Sequence, residues 1–377
     1  MSGPMSRSEC KLNERCNESG LYRRLTQTLR RTCVLAFGLL FSAPLFAEEK
    51  HPPDFPESGS VAYDIQYRLL TGDMSGALAL GRRAAADNDP AMDSLVAYLN
   101  ALTTRLSWDY SYTTLDEEIE KMAEQILTEC ERQLGQDEDD ALAHHFCGTS
   151  NVSLSYLHAV RGRYLRAIYT TTRAMAAHQR ALELEPTLVG ARMHYGLLLY
   201  FTDNLPPFVR ALGQVLWFVP RGNAEEGLAL VSETAALDHV LGHGTRYPYG
   251  DILIDQENRN EAGLSEIMFL VEHYPSNPRF YLRAIWVLEK LSWDEDILSL
   301  VDRFRRNANI QINHCDEQGM TPLIALWRVR ALARLDRVEE ARAELRVVLR
   351  CPDEPAWAAA AFNGTRALLA KEVAQKE

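Results

Sequence analysis

An all-α chain of stacked antiparallel helix pairs is the fold class that three features of this sequence predict. A small residue just past a polar turn is followed 11 to 13 positions later by Pro at Ala77…Pro90, Ala174…Pro186, Ala262…Pro275 and Ala341…Pro352. The small residue lets two helices approach, and Pro, lacking an amide hydrogen, stops the second one. Apolar residues recur at helical spacing, as in Tyr281, Ala284, Ile285 and Leu288, which fall on one stripe. The breaks Thr71-Gly72-Asp73, Asn258-Arg259-Asn260 and Asp336-Arg337 are short and polar, which forces antiparallel neighbours.

In chain order, residues 1–47 read as an address rather than as fold. A basic stretch ending in Arg30-Arg31 precedes the apolar run from Cys33 to Phe46, which closes at Ala47 before Glu48-Glu49-Lys50. This is the grammar of a secretory signal cleaved after Ala47, with a long lead-in that makes Met5 or a later codon a candidate start. An uncleaved signal anchor is the alternative, although the run is shorter than the roughly 20 residues of a membrane span. The residue directly after Ala47 is Glu48 and not Cys, which disfavours a lipid-anchored product. Residues 48–59 are expected to form a flexible linker, 60–355 the repeat domain and 356–377 a C-terminal helix or tail. The expected location is periplasmic or secreted, and soluble after cleavage.

The 377 residues carry 40 Lys+Arg against 52 Asp+Glu, a net charge of −12. Cleavage makes the balance more negative, because residues 1–47 hold seven basic and three acidic residues. Such a chain repels phosphate backbones, so nucleic acid is not an expected partner. The blocks Asp116-Glu117-Glu118 and Asp137-Glu138-Asp139-Asp140 read as solvated helix starts and loops.

Four cysteines lie beyond the signal: Cys130, Cys147, Cys315 and Cys351. Cys130 and Cys147 straddle the loop near Gly135 almost symmetrically, so antiparallel helices bring them level. Cys315 and Cys351 fall at one end of another hairpin. Two disulfides are expected if the chain is exported; four buried free thiols are the alternative.

Tyr156, Arg163 and Tyr164, with Arg161 and Arg166, gather around Gly162, and Tyr195 and Tyr200 follow on the next helix. Arg with Tyr favours carboxylate or aromatic contacts, which makes this group a candidate pocket; ordinary pairing of Arg with neighbouring acids is the competing reading. Further on, Pro207 and Pro220 bracket a strongly apolar helix. Phe208, Leu212, Val215 and Val219 share a face that Leu216, Trp217 and Phe218 widen. It reads either as a plug in the core or as an interaction patch for a hydrophobic ligand, a second subunit in a homo-oligomer, or a membrane edge reached through 205–220.

Signals for chemistry are weak. His144, His145 and Cys147 share a helix, and His239 and His243 lie four apart, but neither group brings a complete ligand set. There is no HExxH, no zinc-type CxxC pair and no Gly-rich phosphate loop. These histidines are therefore read as surface or satisfied core residues, and Gly242-His243-Gly244 with Tyr247-Pro248-Tyr249-Gly250 as a turn cluster. No catalytic, cofactor-binding or metal-ligating residue is assigned, and no cofactor is expected.

At Ala174, Ala181, Pro186 and Gly196 the chain resembles the tetratricopeptide repeat family, whose units are helix pairs with small residues at the crossing and Pro after the second helix. Gly227, Ala262 and Ile297 are spaced by 35 residues, close to that family's period of about 34. The spacing from Ala77 to Ala174, and from Ala174 to Gly227, departs from it, which calls for longer helices or insertions. The resemblance implies that the helix pairs stack as a right-handed superhelix with a concave face, and it implies a scaffold or adaptor role. The expected function is an exported scaffold that binds a protein or peptide in the cell envelope, without catalysis. The alternative is a binder of a small or hydrophobic ligand, in the manner of accessory proteins of periplasmic solute uptake.

Overall fold

The computed structural model describes residue 52 and residues 54–205, 221–307 and 320–348. The expected signal, the apolar segment with Phe208, Leu212, Val215, Leu216, Trp217 and Phe218, the cysteines Cys315 and Cys351, and the C-terminal tail lie outside the described residues.

The described residues form fourteen α-helices and no strand. In chain order they are α1 (Val61–Thr71), α2 (Met74–Ala85), α3 (Met92–Trp108), α4 (Asp116–Leu134), α5 (Ala141–Val160), α6 (Tyr164–Leu184), α7 (Val189–Asp203), α8 (Ala224–Ala235), α9 (Val240–Asp255), α10 (Asn260–His273), α11 (Pro278–Leu291), α12 (Asp294–Asn307), α13 (Met320–Arg334) and α14 (Val338–Val348). Consecutive helices pack as antiparallel pairs, and the first helices of successive pairs also touch, as α1 with α3 and α3 with α5. This is the architecture of an all-α helical repeat array.

The sequence signals map onto helix ends and crossings. Ala77 and Ala174 are fully buried. Helix α6 stops before Pro186, and α10 stops before Pro275. Tyr281, Ala284, Ile285 and Leu288 form the buried stripe of α11. Gly227, Ala262 and Ile297 fall near the starts of α8, α10 and α12, the second helices of three successive pairs. At the second of these places the fine detail differs: Ala262 is only half-buried, and the crossing of α9 with α10 is made by its neighbour Gly263, where a Cβ would come within 2.4 Å of Ile254. The departures from the period are explained by length, since α4, α5 and α6 have 19, 20 and 21 residues against 12 for α8 and 14 for α10.

Two expectations are corrected. The turn cluster at Gly242–Gly250 is helical throughout, inside α9, with Pro248 in its interior. Local turn propensity loses there because Ile252, Leu253 and Ile254 are buried and Gly250 packs under Ile267 of α10. The expected linker is docked, at least over its last residues. The backbone N–H groups of Val189 and Gly190 donate to the Asp54 carboxylate at 3.0 and 2.5 Å, and Phe55 stacks on His239 with ring centroids 3.8 Å apart. Helix α7 has no side-chain N-cap of its own at Leu188, so a carboxylate from far along the chain satisfies its orphan donors.

The array curves until its later pairs meet its first. The Asn277 side-chain amide donates to the carbonyls of Leu69 and Leu70 at 3.2 and 3.0 Å, and Ser276 Oγ donates to the Thr71 carbonyl at 2.7 Å. Tyr67 meets Tyr274 edge-on, and Arg279 lies over the rings of Trp108 and Tyr247. One large apolar core lies in α1–α4 with Leu157 of α5, and a second in α9–α14 with Leu70 of α1. The middle helices differ: His145, Thr149, Ser150, Asn151 and Ser153 of α5, Thr170 and His178 of α6, and His194 and Thr202 of α7 are all buried polar residues.

Candidate functional site

Polar groups cost free energy to bury unless they are partnered, so a polar layer between two apolar cores is the part of this molecule that most requires an explanation. It has two components, a cavity and a histidine cluster, which share a wall.

The cavity has a volume of about 380 Å³ and is lined by the first helices of successive pairs: Gln66 of α1, Val96 and Asn100 of α3, His145 and Phe146 of α5, Met193 and His194 of α7, and Leu241 of α9. The docked segment Asp54-Phe55-Pro56 completes the wall. Burial raises the Asp54 carboxyl above its ordinary range, ahead of the lowering by the Gly190 and Val189 amides. The cavity thus combines aromatic and aliphatic surface with amide, imidazole and carboxyl groups.

Behind this wall, His145 of α5, His178 of α6 and His194 of α7 converge. Their ring centroids are 5.4, 6.1 and 5.2 Å apart, and each offers a nitrogen within 4.8 Å of the other two. Glycines make the room. A Cβ on Gly148 would lie 2.6 Å from the His178 ring, and one on Gly190 would lie 2.9 Å from the His145 ring. His178 is fully buried with neither ring nitrogen hydrogen-bonded, and His145 Nδ1 is likewise without a partner. His194 Nδ1 lies 3.4 Å from the Thr149 hydroxyl, which donates to the His145 carbonyl at 3.1 Å. Burial lowers all three histidines, His145 to about 4 and His194 to about 3, with neighbouring imidazoles adding to the effect at His178 and His194. At neutral pH they are uncharged imidazoles, each with a ring lone pair to give.

Cys130 and Cys147 form a disulfide, with Cα atoms 5.8 Å apart, and tie α4 to α5 two residues beyond His145. The sequence-based pairing of these two cysteines is therefore present in the fold. Cys147 is consumed by it and is not a partner for His144 or His145. His144 turns away to the Glu138 carbonyl at 3.0 Å. His239 and His243 separate: His239 stacks on Phe55, while His243 bonds the Tyr274 hydroxyl at 2.6 Å and Asp238 at 3.1 Å.

None of the Tyr and Arg residues named as a candidate pocket lines the cavity. Arg161 is held by Asp116 and by the carbonyls of Tyr110 and Tyr112, and Arg163 pairs with Glu120. Tyr156 packs against the first core, and burial raises its hydroxyl well above the usual range. Tyr164 is exposed, Tyr195 half-buried, and Tyr200 fully buried with its hydroxyl on Glu257 at 2.5 Å. The competing reading, Arg paired with neighbouring acids, describes Arg161 and Arg163. The acidic block is also more than solvated: Asp116 binds Arg161, and Glu118 binds Arg82 and the Tyr98 hydroxyl.

His178 and His194 carried no signal of their own in the sequence, because each stands alone on its helix. A weak hint was available in the run of small and polar residues Cys147-Gly148-Thr149-Ser150-Asn151, which is unusual at the centre of a buried helix. No family model matches this chain, and no curated protein is similar to it. Among the described residues, no helix is long and apolar enough to cross a membrane.

Proposed function

We propose that this chain is an exported, tetratricopeptide-like binding protein that holds a small molecule of mixed polarity inside its helical array, as an accessory of solute handling in the cell envelope. The observation that carries the reading is the cavity. Its volume of about 380 Å³ falls in the range of small-molecule sites, which run from about 300 to 1,000 Å³. Because the later pairs fold back onto α1, the concave face that an open array would offer to a peptide is narrowed to a pocket of that size. Apolar walls at Phe55, Val96 and Met193 would take the body of the ligand, and Asn100, Gln66 and the histidine face would orient its polar groups. The Cys130–Cys147 disulfide supports export to an oxidising compartment.

A second reading, the protein scaffold, draws on the outer surface. Tyr164, Leu165 and Tyr169 at the start of α6 are exposed by 69%, 73% and 59%, a cluster of apolar side chains suited to a partner. One experiment separates the two. Protein isolated from its native host is analysed by native mass spectrometry and by crosslinking, alongside Ala97→Phe, which enlarges a side chain of α3 that lines the cavity, and Tyr169→Asp, which charges the outer cluster. The cavity reading expects a co-purifying small molecule that is lost only in Ala97→Phe. A crosslinked protein lost only in Tyr169→Asp, with no bound small molecule, would replace it with the scaffold.

A further inference from the structure

We propose that His145, His178 and His194 bind one divalent transition-metal ion of the zinc class, with the adjoining cavity supplying the fourth coordination position. Three imidazoles from three consecutive helices meet at one point in the polar layer, and each contributes one nitrogen. Nitrogens bound tetrahedrally to zinc at about 2.0–2.1 Å are about 3.3 Å from one another, so small ring rotations close the present separation of at most 4.8 Å.

The alternative is a packed trio of core histidines, and the hydrogen-bond accounting opposes it. A buried polar atom left without a partner costs about 1–3 kcal/mol, and here His178 has two such atoms and His145 has one. A metal ion removes the lone-pair side of that cost. The sterics point the same way, since Gly148 and Gly190 keep clear the space that the His178 and His145 rings occupy. No carboxylate hydrogen-bonds any of the three rings among the described residues, so nothing there stabilises an imidazolium instead. Thr149 acts as the outer support: its hydroxyl hydrogen is committed to the His145 carbonyl, so its oxygen accepts from His194 Nδ1–H and leaves Nε2 of His194 free for the metal. A site of three neutral histidines and one open position suits zinc, and cobalt serves as its spectroscopic substitute. This assignment does not rest on the ligand reading above, because metal loading is measured without any organic ligand.

The test is titration of the chelator-stripped full chain with Zn²⁺, followed by elemental analysis of the isolated protein. One zinc per chain is expected. His178→Ala should weaken binding by about 100-fold or more and Thr149→Val by about 10-fold, whereas His144→Ala, on the same helix but facing away, should bind as the wild type does. Co²⁺ loaded into the wild type should give the intense visible bands of four- or five-coordinate nitrogen ligation. Circular dichroism reports whether each variant folds; if His178→Ala does not, the cobalt spectrum of the wild type decides alone. The assignment is overturned by the absence of a stoichiometric ion, by a pale octahedral cobalt spectrum, or by binding that survives both His178→Ala and His194→Ala.

Discussion

Glu118 shows how a single residue of an acidic block acquires a defined role. It sits in the first turn of α4, accepts two hydrogen bonds from Arg82 at 2.9 and 3.0 Å, and also receives the Tyr98 hydroxyl. The Arg82 hydrogen bonds hold its carboxyl below the ordinary value of 4.5, against partial burial, and Tyr98 and Lys121 act in the same direction. Because the folded state depresses this ionisation, its contribution to stability is present above about pH 4.5 and is lost as pH falls through the lower folded value. Glu118→Gln should therefore lower stability at neutral pH and flatten the acid limb of a urea-denaturation series. An unchanged slope between pH 5 and the acid extreme would show that the pair is screened out. The sequence displayed the charge of Asp116-Glu117-Glu118 but not its partners, since Arg82 and Arg161 come from other helices and meet these acids only after packing.

Among the elements, the hairpin of α4 and α5 and the crossing of α7 with α8 carry the clearest tests. The disulfide between Cys130 and Cys147 closes a loop of 17 residues, for which chain entropy gives about 3 kcal/mol. Cys130→Ser should cost about that much in chemical denaturation, and reduction of the wild type should match it. At the second crossing the two backbones touch through glycines: a Cβ on Gly227 would lie 2.5 Å from the Gly196 carbonyl and 2.7 Å from the Tyr200 amide. Gly227→Ala should destabilise by about 1–3 kcal/mol in the same assay, because backbone cannot yield as a side-chain tip would, and this outweighs the helix propensity gained. The Cys130 pairing was legible because equal distances from a polar turn place two residues level on antiparallel helices. The helical course of Gly242–Gly250 was not, because its turn residues are overruled by burial against α10.

Across the whole molecule, closure of the array on its first pair decides what the interior is. Asn277 is the pivot. It caps α11 through the Arg279 amide at 3.0 Å and holds the carbonyls of Leu69 and Leu70 at the end of α1. Asn277→Ala should cost about 2–3 kcal/mol, combining a lost cap with two unmet carbonyls, and should raise hydrogen exchange at the C-terminal turn of α1 as well as in the first turn of α11. Protection retained in α1 would mean that the pairs are held together by their apolar contacts alone. By itself the sequence determined the all-helical class, the pairing of neighbouring helices, the best stretch of the period and the level placement of Cys130 with Cys147, because each depends on short-range spacing that is printed along the chain. Only the tertiary structure decided that residues 54–56 cap α7 and wall the cavity, and that His145, His178 and His194 share one point. Those relations join residues on separate turns of a curved array, and curvature is the sum of many small packing angles that no local pattern records.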